Sequence, residues 1–371
     1  MSPAGVARAA IERELLHWMR VEPDRHDPAR FERLALALYE HQFENCEPYG
    51  RFAAGRGARP SQIITWREIP PAPTGAFKEM PLRSFHALAT KHMFRTSGTS
   101  EEKRGTLYLD TLELYEGSLL PSFEVGVLPE LLGTRGRMPI LVLAASPEEA
   151  DDSSLSHMFG VVLRRRGGAG SDYFVRRGRL ELASLALALE SAIAAGGPIA
   201  LCGTAFAFVH LLDAMTQAGR RLVLPAGTRI METGGFKGRA RELTREELYA
   251  ELHERLGVPP AQIVNQYGMT ELGSQFYDNV LVQPGGTRHK LVPPWTRVRV
   301  VDPETGWDMP SGEVGIVQIV DLANTGSVLA VQTADLGREL PGGFEVLGRS
   351  PGAEARGCSI AADEMLGAGR S

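Results

Sequence analysis

The sequence predicts an α/β protein whose body is a doubly wound parallel sheet, followed by a portion rich in β-strands. Continuous apolar runs typical of buried strands occur at 138–146 and 198–203, and two more strand-like segments occur at 228–233 and 262–266. Segments with helical periodicity lie between them. Because strands that alternate with helices are joined by crossovers, this order indicates a parallel sheet.

The elements follow one another in a simple order. Apolar residues recur at helical spacing in 5–20 and 28–45, which predicts two N-terminal helices, whereas 50–82 is rich in Pro, Gly and Arg and predicts an irregular connection. Helices are expected at 181–196, at 205–219 and at 244–257. After about residue 285 the helical patterns fade, and short strands separated by turn residues follow.

Composition limits the class of protein. The chain has 371 residues, 43% of them hydrophobic, with a formal net charge of −5. It can therefore bury a large core, and its charge argues against a sequence-independent nucleic-acid binder. It has no apolar run long enough to span a membrane and no N-terminal signal-like segment, which predicts a cytoplasmic protein. The three cysteines form no CxxC pair, which excludes a disulfide scaffold and a cysteine-rich zinc site.

The same patterns predict four parts along the chain. Residues 1–90 form a helical and connecting region packed on the body, and 91–285 form the α/β body itself. Residues 286–349 form the β-rich portion, and 350–371 form a C-terminal tail that contains Cys358.

One loop is rich in hydroxyl groups. Residues 94–105 read FRTSGTSEEKRG, and the groups in it suited to oxyanions are Thr96, Ser97, Gly98, Thr99, Ser100, Lys103 and Arg104. Hydroxyls and backbone amides beside a cation are the chemistry of a polyphosphate cradle. The loop lacks the Walker A spacing. On composition alone, a solvated Ser/Thr-rich turn is an equally good interpretation.

Three predicted strand ends carry unusual loops, 203–206, 232–238 and 266–271. Ligands of open parallel sheets bind at the carboxyl ends of the strands, and glycines there let a ligand approach the backbone. The alternative for each loop is structural, because any turn from a strand into a helix favours Gly and a Thr cap.

In order along the chain, these pieces resemble the motifs of the adenylate-forming enzymes. Thr96–Gly105 is similar to their phosphate loop, Glu232–Phe236 to the adenine-side glycine loop, and Tyr267–Glu271 (YGMTE) to their YGxTE motif. Ser311–Gly315 resembles the GExG segment, and Thr333–Leu336 with the later Gly348-Arg349 resembles TGDL and its following GR.

The pattern most closely resembles the LuxE-type acyl-protein synthetases, the fatty-acid-activating subunits of bacterial long-chain fatty acid reductase complexes. The stretches SSLSHMFG (153–160), NQYGMTELGSQFYDN (265–279) and ARGCS (355–359) look like theirs. The resemblance implies an adenylate-forming domain. Because 350–371 is short and holds no lysine, we expect the mobile C-terminal domain of related acyl-CoA synthetases to be absent.

The resemblance also implies roles for residues. Thr270 would contact the α-phosphate, Glu271 would hold Mg²⁺, Asp335 would bind the ribose hydroxyls with Arg349 nearby, and Tyr267 would stack on adenine. The other residues implied at the nucleotide are Gly234, Gly235, Phe236, Gln266, Gly268 and Met269, beside the loop 96–100 with Lys103 or Arg104. Tyr267 could instead be a core aromatic residue, and Asp335 a turn residue at a strand end.

The implied function is ATP- and Mg²⁺-dependent activation of a carboxylic acid, foremost a long-chain fatty acid, as acyl-AMP. Cys358 would then accept the acyl group and pass it to a reductase or another acceptor protein. Gly203, Thr204, Phe206 and Phe208 are the predicted wall of the acyl pocket. Two alternatives stay open: adenylation of an aryl or amino acid with transfer to CoA or a carrier protein, and a non-catalytic nucleotide-binding subunit. The second is motivated by Glu101, where the family pattern has glycine.

Overall fold

The structure is a computed structural model that describes residues 3–96, 103–234 and 243–349. Within these residues the α-helices are α1 (Pro3–Val21), α2 (Pro28–Asn45), α3 (Glu47–Gly55), α4 (Ala76–Glu79), α5 (Glu113–Val127), α6 (Ser154–Arg166), α7 (Leu182–Ala195), α8 (Ala205–Gln217) and α9 (Arg245–Leu256).

The strands are short in the first half of the chain and longer near its end. In chain order they are β1 (Ala72–Pro73), β2 (His92–Arg95), β3 (Thr106–Leu109), β4 (Ile140–Leu143), β5 (Asp172–Tyr173), β6 (Val175–Arg176), β7 (Arg179–Leu180), β8 (Ala200–Thr204), β9 (Arg229–Thr233), β10 (Ile263–Tyr267), β11 (Phe276–Tyr277), β12 (Lys290–Leu291), β13 (Thr296–Val301), β14 (Val314–Asp321), β15 (Ala330–Leu340) and β16 (Gly343–Arg349).

The chain divides into two compact units. Unit 1 contains residues 1–122, 268–275 and 289–371, and unit 2 contains residues 123–267 and 276–288. Both units are therefore discontinuous in sequence. The four-part division predicted from the sequence remains a prediction.

Unit 2 is built on the predicted parallel sheet. Its strand order is β11-β10-β9-β8-β4-β5, and only β11 runs antiparallel to its neighbour. From β4 the chain goes first to β5 on one side and then returns to β8 on the other. This reversal is the doubly wound order, and it confirms the predicted fold class.

The central strands of this sheet are buried on both faces and form much of the core of unit 2. Leu141, Leu201, Ile230 and Ile263 belong to one buried cluster with apolar residues of α7, α8 and α9. Their immediate neighbours along the strands are buried as well. A strand buried on both faces has a continuous apolar sequence, which is why the apolar runs predicted these strands correctly.

Unit 1 has a sheet of different design. Its order is β12-β16-β15-β14-β13, all antiparallel, and β1 pairs with β15 in parallel. The predicted β-rich portion after residue 285 is confirmed. Beside this sheet, unit 1 contains the hairpin β2–β3, whose loop carries most of the hydroxyl-rich stretch.

The N-terminal helices α1 and α2 confirm the predicted pair. Asp27 caps α2 by accepting a bond from the Arg30 N–H at 2.9 Å, and Pro28 follows at the first helical position. The predicted irregular connection at 50–82 is wrong at its start, because α3 extends to Gly55. There Gly50 packs against the Phe43 carbonyl so closely that a Cβ would lie 2.3 Å from its oxygen.

Candidate active site

The carboxyl ends of three neighbouring strands in unit 2 come together in register. Thr204 of β8 lies beside Thr233 of β9, and Thr233 lies beside Gln266 of β10. The Thr233 hydroxyl hydrogen-bonds the Gln266 side chain and also lies 3.2 Å from the Gln266 carbonyl oxygen. The strand ends that the sequence predicted to share one sheet edge therefore do so.

Two of the predicted acyl-pocket residues have structural roles in unit 2. Thr204 is the N-cap of α8, since its Oγ1 accepts the Ala207 N–H at 3.2 Å. Gly203 packs tightly on Leu143, where an added Cβ would lie 2.7 Å from the Leu143 Cβ. These contacts fit the structural alternative for this loop. They leave the pocket assignment a prediction.

The two phenylalanines of the predicted acyl pocket differ in burial. Phe208 is fully buried in the core of unit 2. Phe206 is half-buried, and its ring packs edge-on against His210 with the centroids 4.5 Å apart. On these grounds Phe206 is the better placed of the two to meet a ligand.

A buried carboxylate lies beneath the strand ends. Glu232, which precedes Thr233, accepts hydrogen bonds from the Tyr249 hydroxyl at 2.9 Å and from the Asn265 amide at 2.7 Å. Burial, aided by the nearby Glu232 charge, raises the pKa of Tyr249 well above its usual value, so the tyrosine stays a donor. This network joins β9, β10 and α9 below the loops that carry Gly234 and Tyr267.

Tyr267 is the last residue of β10 and is half-buried. Its ring packs on Phe276 at a tilt of 44°, with the centroids 6.2 Å apart. The residue is thus partly exposed and partly packed on a core ring, so the alternative of a core aromatic residue stays open. Its stacking on adenine remains a prediction.

In unit 1 the base of the hydroxyl-rich loop is closed by two residues. The Thr96 N–H donates to the Gly105 carbonyl at 2.9 Å, and the Gly105 N–H donates to the Thr96 hydroxyl at 2.9 Å. Ser97, Gly98, Thr99 and Ser100, predicted to bind phosphate, lie outside the described residues, as do Glu101, Gly235, Phe236 and Cys358. The described part of the loop thus has a fixed base.

The two basic residues of this loop have different partners. Arg104 Nε donates to the Thr96 carbonyl at 2.6 Å, so its guanidinium helps to hold the loop base. Lys103 Nζ lies 2.7 Å from the Glu79 carboxylate, and both side chains are exposed, at 61% and 37%. An exposed pair of this kind is worth about 0–1 kcal/mol, so Lys103 can leave it readily.

Glu271 lies against the loop base and is buried. A Cβ placed on Gly105 would be 3.2 Å from Glu271 Oε1 and 3.1 Å from Thr96 Cγ2. Burial raises the pKa of Glu271 to about 7, and the charges of Arg349 and Lys78 oppose that rise only in part. The fold therefore places an acid that is costly to ionise next to the predicted phosphate loop.

The turn that carries Thr270 and Glu271 is held by another buried carboxylate. Asp321, at the end of β14, accepts the Gly273 N–H at 2.9 Å, the Ser274 hydroxyl at 2.7 Å and the Ala323 N–H at 3.0 Å. Trp295 Nε1 donates to the same Ser274 hydroxyl oxygen at 3.1 Å. Thr270, Glu271 and Ser274 are all buried, in contrast to Gly268 and Met269 at the start of the turn.

Asp335 and Arg349 are partners in register on β15 and β16. The Arg349 Nε lies 3.9 Å from the Asp335 carboxylate, and both side chains also act electrostatically on Glu271. Asp335 lies inside an eleven-residue strand, so the alternative of a turn residue at a strand end is wrong.

Comparison with known proteins decides the family. The family model described as acyl-protein synthetase, LuxE, matches residues 18–367. The chain belongs to this family. A long-chain-fatty-acid–luciferin-component ligase of Vibrio harveyi is 24% identical over 90% of this chain and 87% of its own length. The protein of the same name from Aliivibrio fischeri is 23% identical over 81% of this chain and 76% of its own length.

The fold of this LuxE-family chain also occurs in a solved ligase. A crystal structure of 2-hydroxyisobutyryl-CoA ligase, in complex with 2-HIB-AMP and CoA, superposes with a TM-score of 0.61 at 16% identity. The match covers 87% of this chain and 71% of that one. The likeness shows that the predicted adenylate-forming fold is correct.

The donors that the structure describes fit a magnesium ion if substrate phosphates complete its coordination. Among the described residues, no three His, Cys, Asp or Glu side chains are grouped so that they could enclose a metal. Mg²⁺ is commonly bound by one or two carboxylates together with substrate phosphates. The buried Glu271 meets that requirement, because a cation beside it would offset the cost of ionising it.

The cysteines that the structure describes are unsuited to nucleophilic attack. Burial raises the pKa of Cys46 to about 11 and that of Cys202 to about 12. Both side chains are fully buried, as the apolar sequence around Cys202 predicts.

Within the described residues, no helix is long and apolar enough to cross a membrane.

Sequence reasoning missed several residues that the site depends on. The charge of Lys78 lowers the pKa of Glu271. Asp321 and Asn324 hold the turn that carries Glu271. Asp321 and Asn324 are separated from that turn by about 50 residues along the chain, since they act on Ser274 and Glu271 across separations of 47 and 53. Their only local signal is polar residues inside an apolar stretch, DLANTGSVLA (321–330).

Proposed function

We propose that this acyl-protein synthetase activates a long-chain fatty acid with ATP and Mg²⁺, forming acyl-AMP and pyrophosphate, and then transfers the acyl group to Cys358. The observation that carries the proposal is the position of Glu271. A buried carboxylate beside the base of a hydroxyl-rich loop, with Arg349 and Lys78 in electrostatic range, fits a metal-bound polyphosphate.

The first step needs no general base, because the fatty acid is already a carboxylate at neutral pH. One carboxylate oxygen attacks the α-phosphorus of ATP, an O–P bond forms, and the bond from that phosphorus to the bridging oxygen breaks. Pyrophosphate leaves with the electron pair. The protein's contribution is to position the reactants and neutralise charge, for which Thr270, Lys103 and the bound Mg²⁺ are the proposed groups.

In the second step the Cys358 thiolate attacks the acyl carbonyl carbon. The C–S bond forms, the bond from that carbon to the phosphate oxygen breaks, and AMP leaves. The thiol proton passes to solvent. A free thiol is ionised to a few per cent near neutral pH, which is sufficient for attack on a mixed anhydride. Cys358 is proposed because its ARGCS context resembles the family, and because Cys46 and Cys202 are buried.

Substrate and acceptor are proposed from the relatives. Two of them are named long-chain-fatty-acid–luciferin-component ligases. We therefore propose a long-chain fatty acid as substrate and a fatty acyl reductase as the final acceptor of the acyl group. Asp335 and Arg349 would bind the ribose, and Tyr267 the adenine.

Isotope exchange between labelled pyrophosphate and ATP tests the first step, and the intact mass of the protein tests the second. With palmitate, the wild-type chain and Cys358→Ser should both exchange, whereas Glu271→Gln should not. Only the wild type should gain the mass of a palmitoyl group. Exchange with aryl or amino acids but not with fatty acids would replace the substrate proposed here, and no exchange with any acid would favour a non-catalytic nucleotide-binding subunit.

A further inference from the structure

The connection between β14 and β15 in unit 1 is unusual in being entirely buried. All eight residues of this segment, 322–329, are buried. Connections between strands normally run over the surface, since a buried connection must find partners for its backbone groups. The partners of this segment, which we call the 322–329 turn, therefore show what it is fixed to.

Side chains from distant parts of unit 1 supply those partners. Gln42 of α2 donates to the carbonyls of Asn324 and Thr325, at 2.9 and 3.3 Å, and accepts the Leu329 N–H at 2.8 Å. The Ser84 hydroxyl donates to the Thr325 carbonyl at 2.8 Å. Gln42 is itself completely buried. The 322–329 turn is therefore fixed to α2 and to the segment that contains Ser84.

The Asn324 side chain points from this turn to Glu271. Its Nδ2 donates one hydrogen bond to the Glu271 carbonyl and another to the Val328 carbonyl, both at 2.9 Å. Both amide hydrogens are thus used. The buried Asn324 Oδ1 has no hydrogen-bond partner among the residues that the structure describes, and an unsatisfied buried acceptor is unfavourable.

We propose that Asn324 is a positioning residue for Glu271, fixing the backbone from which that carboxylate reaches the metal-bound triphosphate. This inference rests on the proposed function. The segment that carries Glu271 is held at two points, because Asp321 binds Gly273 and Ser274, while Asn324 binds Glu271 itself. Groups that orient a metal ligand typically change metal affinity by about 10–100-fold when removed.

The test compares two buried asparagines. Asn279 in unit 2 resembles Asn324, because its Nδ2 also donates two bonds, to the Gln283 side chain at 3.0 Å and to the Thr287 carbonyl at 3.1 Å. Pyrophosphate exchange with palmitate would be measured against Mg²⁺ concentration for Asn324→Ala and Asn279→Ala, with thermal unfolding recorded for both.

Asn324→Ala should raise the Mg²⁺ concentration for half-maximal exchange about tenfold, with the KM for palmitate unchanged. Asn279→Ala should lower stability by a similar amount without that shift. Gln42→Met, which removes the side-chain hydrogen bonds of Gln42 to the 322–329 turn, should shift the Mg²⁺ requirement in the same direction and serves if Asn324→Ala does not fold. An unchanged Mg²⁺ requirement in whichever of the two variants folds overturns the inference. Absence of exchange in the wild type overturns the proposed function instead.

Discussion

Asp335 and Arg349 face each other across two antiparallel strands, and the Arg349 Nε lies 3.9 Å from the Asp335 carboxylate. At that distance the two side chains form an ion pair, and an ionised carboxylate accepts hydrogen bonds through both of its oxygens. The two hydroxyls of a ribose are donors of the required kind. The family resemblance predicts that this pair, which the strand register brings together, binds the ribose.

Asp335→Ala should therefore weaken ATP binding. Hydrogen bonds to a charged group contribute about 1.5–3 kcal/mol, so the KM for ATP should rise at least about tenfold while the KM for palmitate stays unchanged. Asp308→Ala is the matched control, because Asp308 also pairs with arginines of unit 1 but has no predicted ligand. Equal KM values for ATP in the two variants would contradict the ribose assignment.

Glu271→Gln should make the metal-free protein more stable at alkaline pH. Burial raises the pKa of Glu271 from 4.5 to about 7, so between these values the folded state binds the proton that the unfolded state has lost. The free energy of unfolding of the wild type should therefore fall as pH rises through that window, by about 3 kcal/mol over the whole window. The Glu271→Gln variant should not lose this stability, because a glutamine side chain does not ionise.

The measurement is urea unfolding in a metal chelator at pH 5 and pH 8. The advantage of Glu271→Gln should be small at the lower pH and large at the higher one. Adding MgATP at pH 8 should stabilise the wild type and not the variant. An advantage that does not change with pH would show that Glu271 ionises as freely in the fold as in water.

Lys103 and Arg104 should separate in their effects. Lys103 leaves an exposed pair with Glu79 at little cost, whereas Arg104 is bonded to the Thr96 carbonyl. Lys103→Ala should slow pyrophosphate exchange about tenfold, as expected for loss of one charged contact, and leave the melting temperature unchanged. Arg104→Ala should lower both the rate of pyrophosphate exchange and the melting temperature.

Glu79→Gln is the control for this prediction. It frees Lys103 from its ion pair, so exchange should be unchanged or faster. If Glu79→Gln slows exchange as much as Lys103→Ala does, the ion pair itself matters, and Lys103 is not the base that contacts phosphate.

Thr204→Ala should destabilise unit 2 by about 1 kcal/mol, because it removes the N-cap of α8. Thr204→Ser retains the hydroxyl and should restore stability. The KM for palmitate should be unchanged in both variants if capping is the whole role of Thr204. A KM that rises in Thr204→Ser as well would place the lost methyl group in contact with the acyl chain.

The parallel sheet could be predicted from the sequence because its strands are buried on both faces. Continuous apolar runs such as 138–146 follow directly from that burial. Helix α5 could not be predicted in the same way. Its sequence, ELYEGSLLPSFEVGV, contains Gly and an internal Pro121, which are signals for ending a helix.

The candidate site could be predicted only in part, for a related reason. The residues expected to contact ligands lie in short motifs, such as Tyr267–Glu271, that can be identified locally. The residues that hold these motifs in place do not lie in such motifs. Glu232 is held by Tyr249 and Asn265, and Glu271 by Asn324, through contacts between residues 17 to 53 positions apart. No local pattern encodes such pairs, because they depend on how distant elements pack.

The most direct test of the central claim follows one oxygen atom. Palmitate labelled with heavy oxygen in its carboxylate would be incubated with the protein, ATP and Mg²⁺, and the AMP and pyrophosphate would be analysed by mass spectrometry. Attack on the α-phosphorus predicts one heavy oxygen in AMP and none in pyrophosphate. Heavy oxygen in pyrophosphate or phosphate, or AMP without the label, would contradict the account.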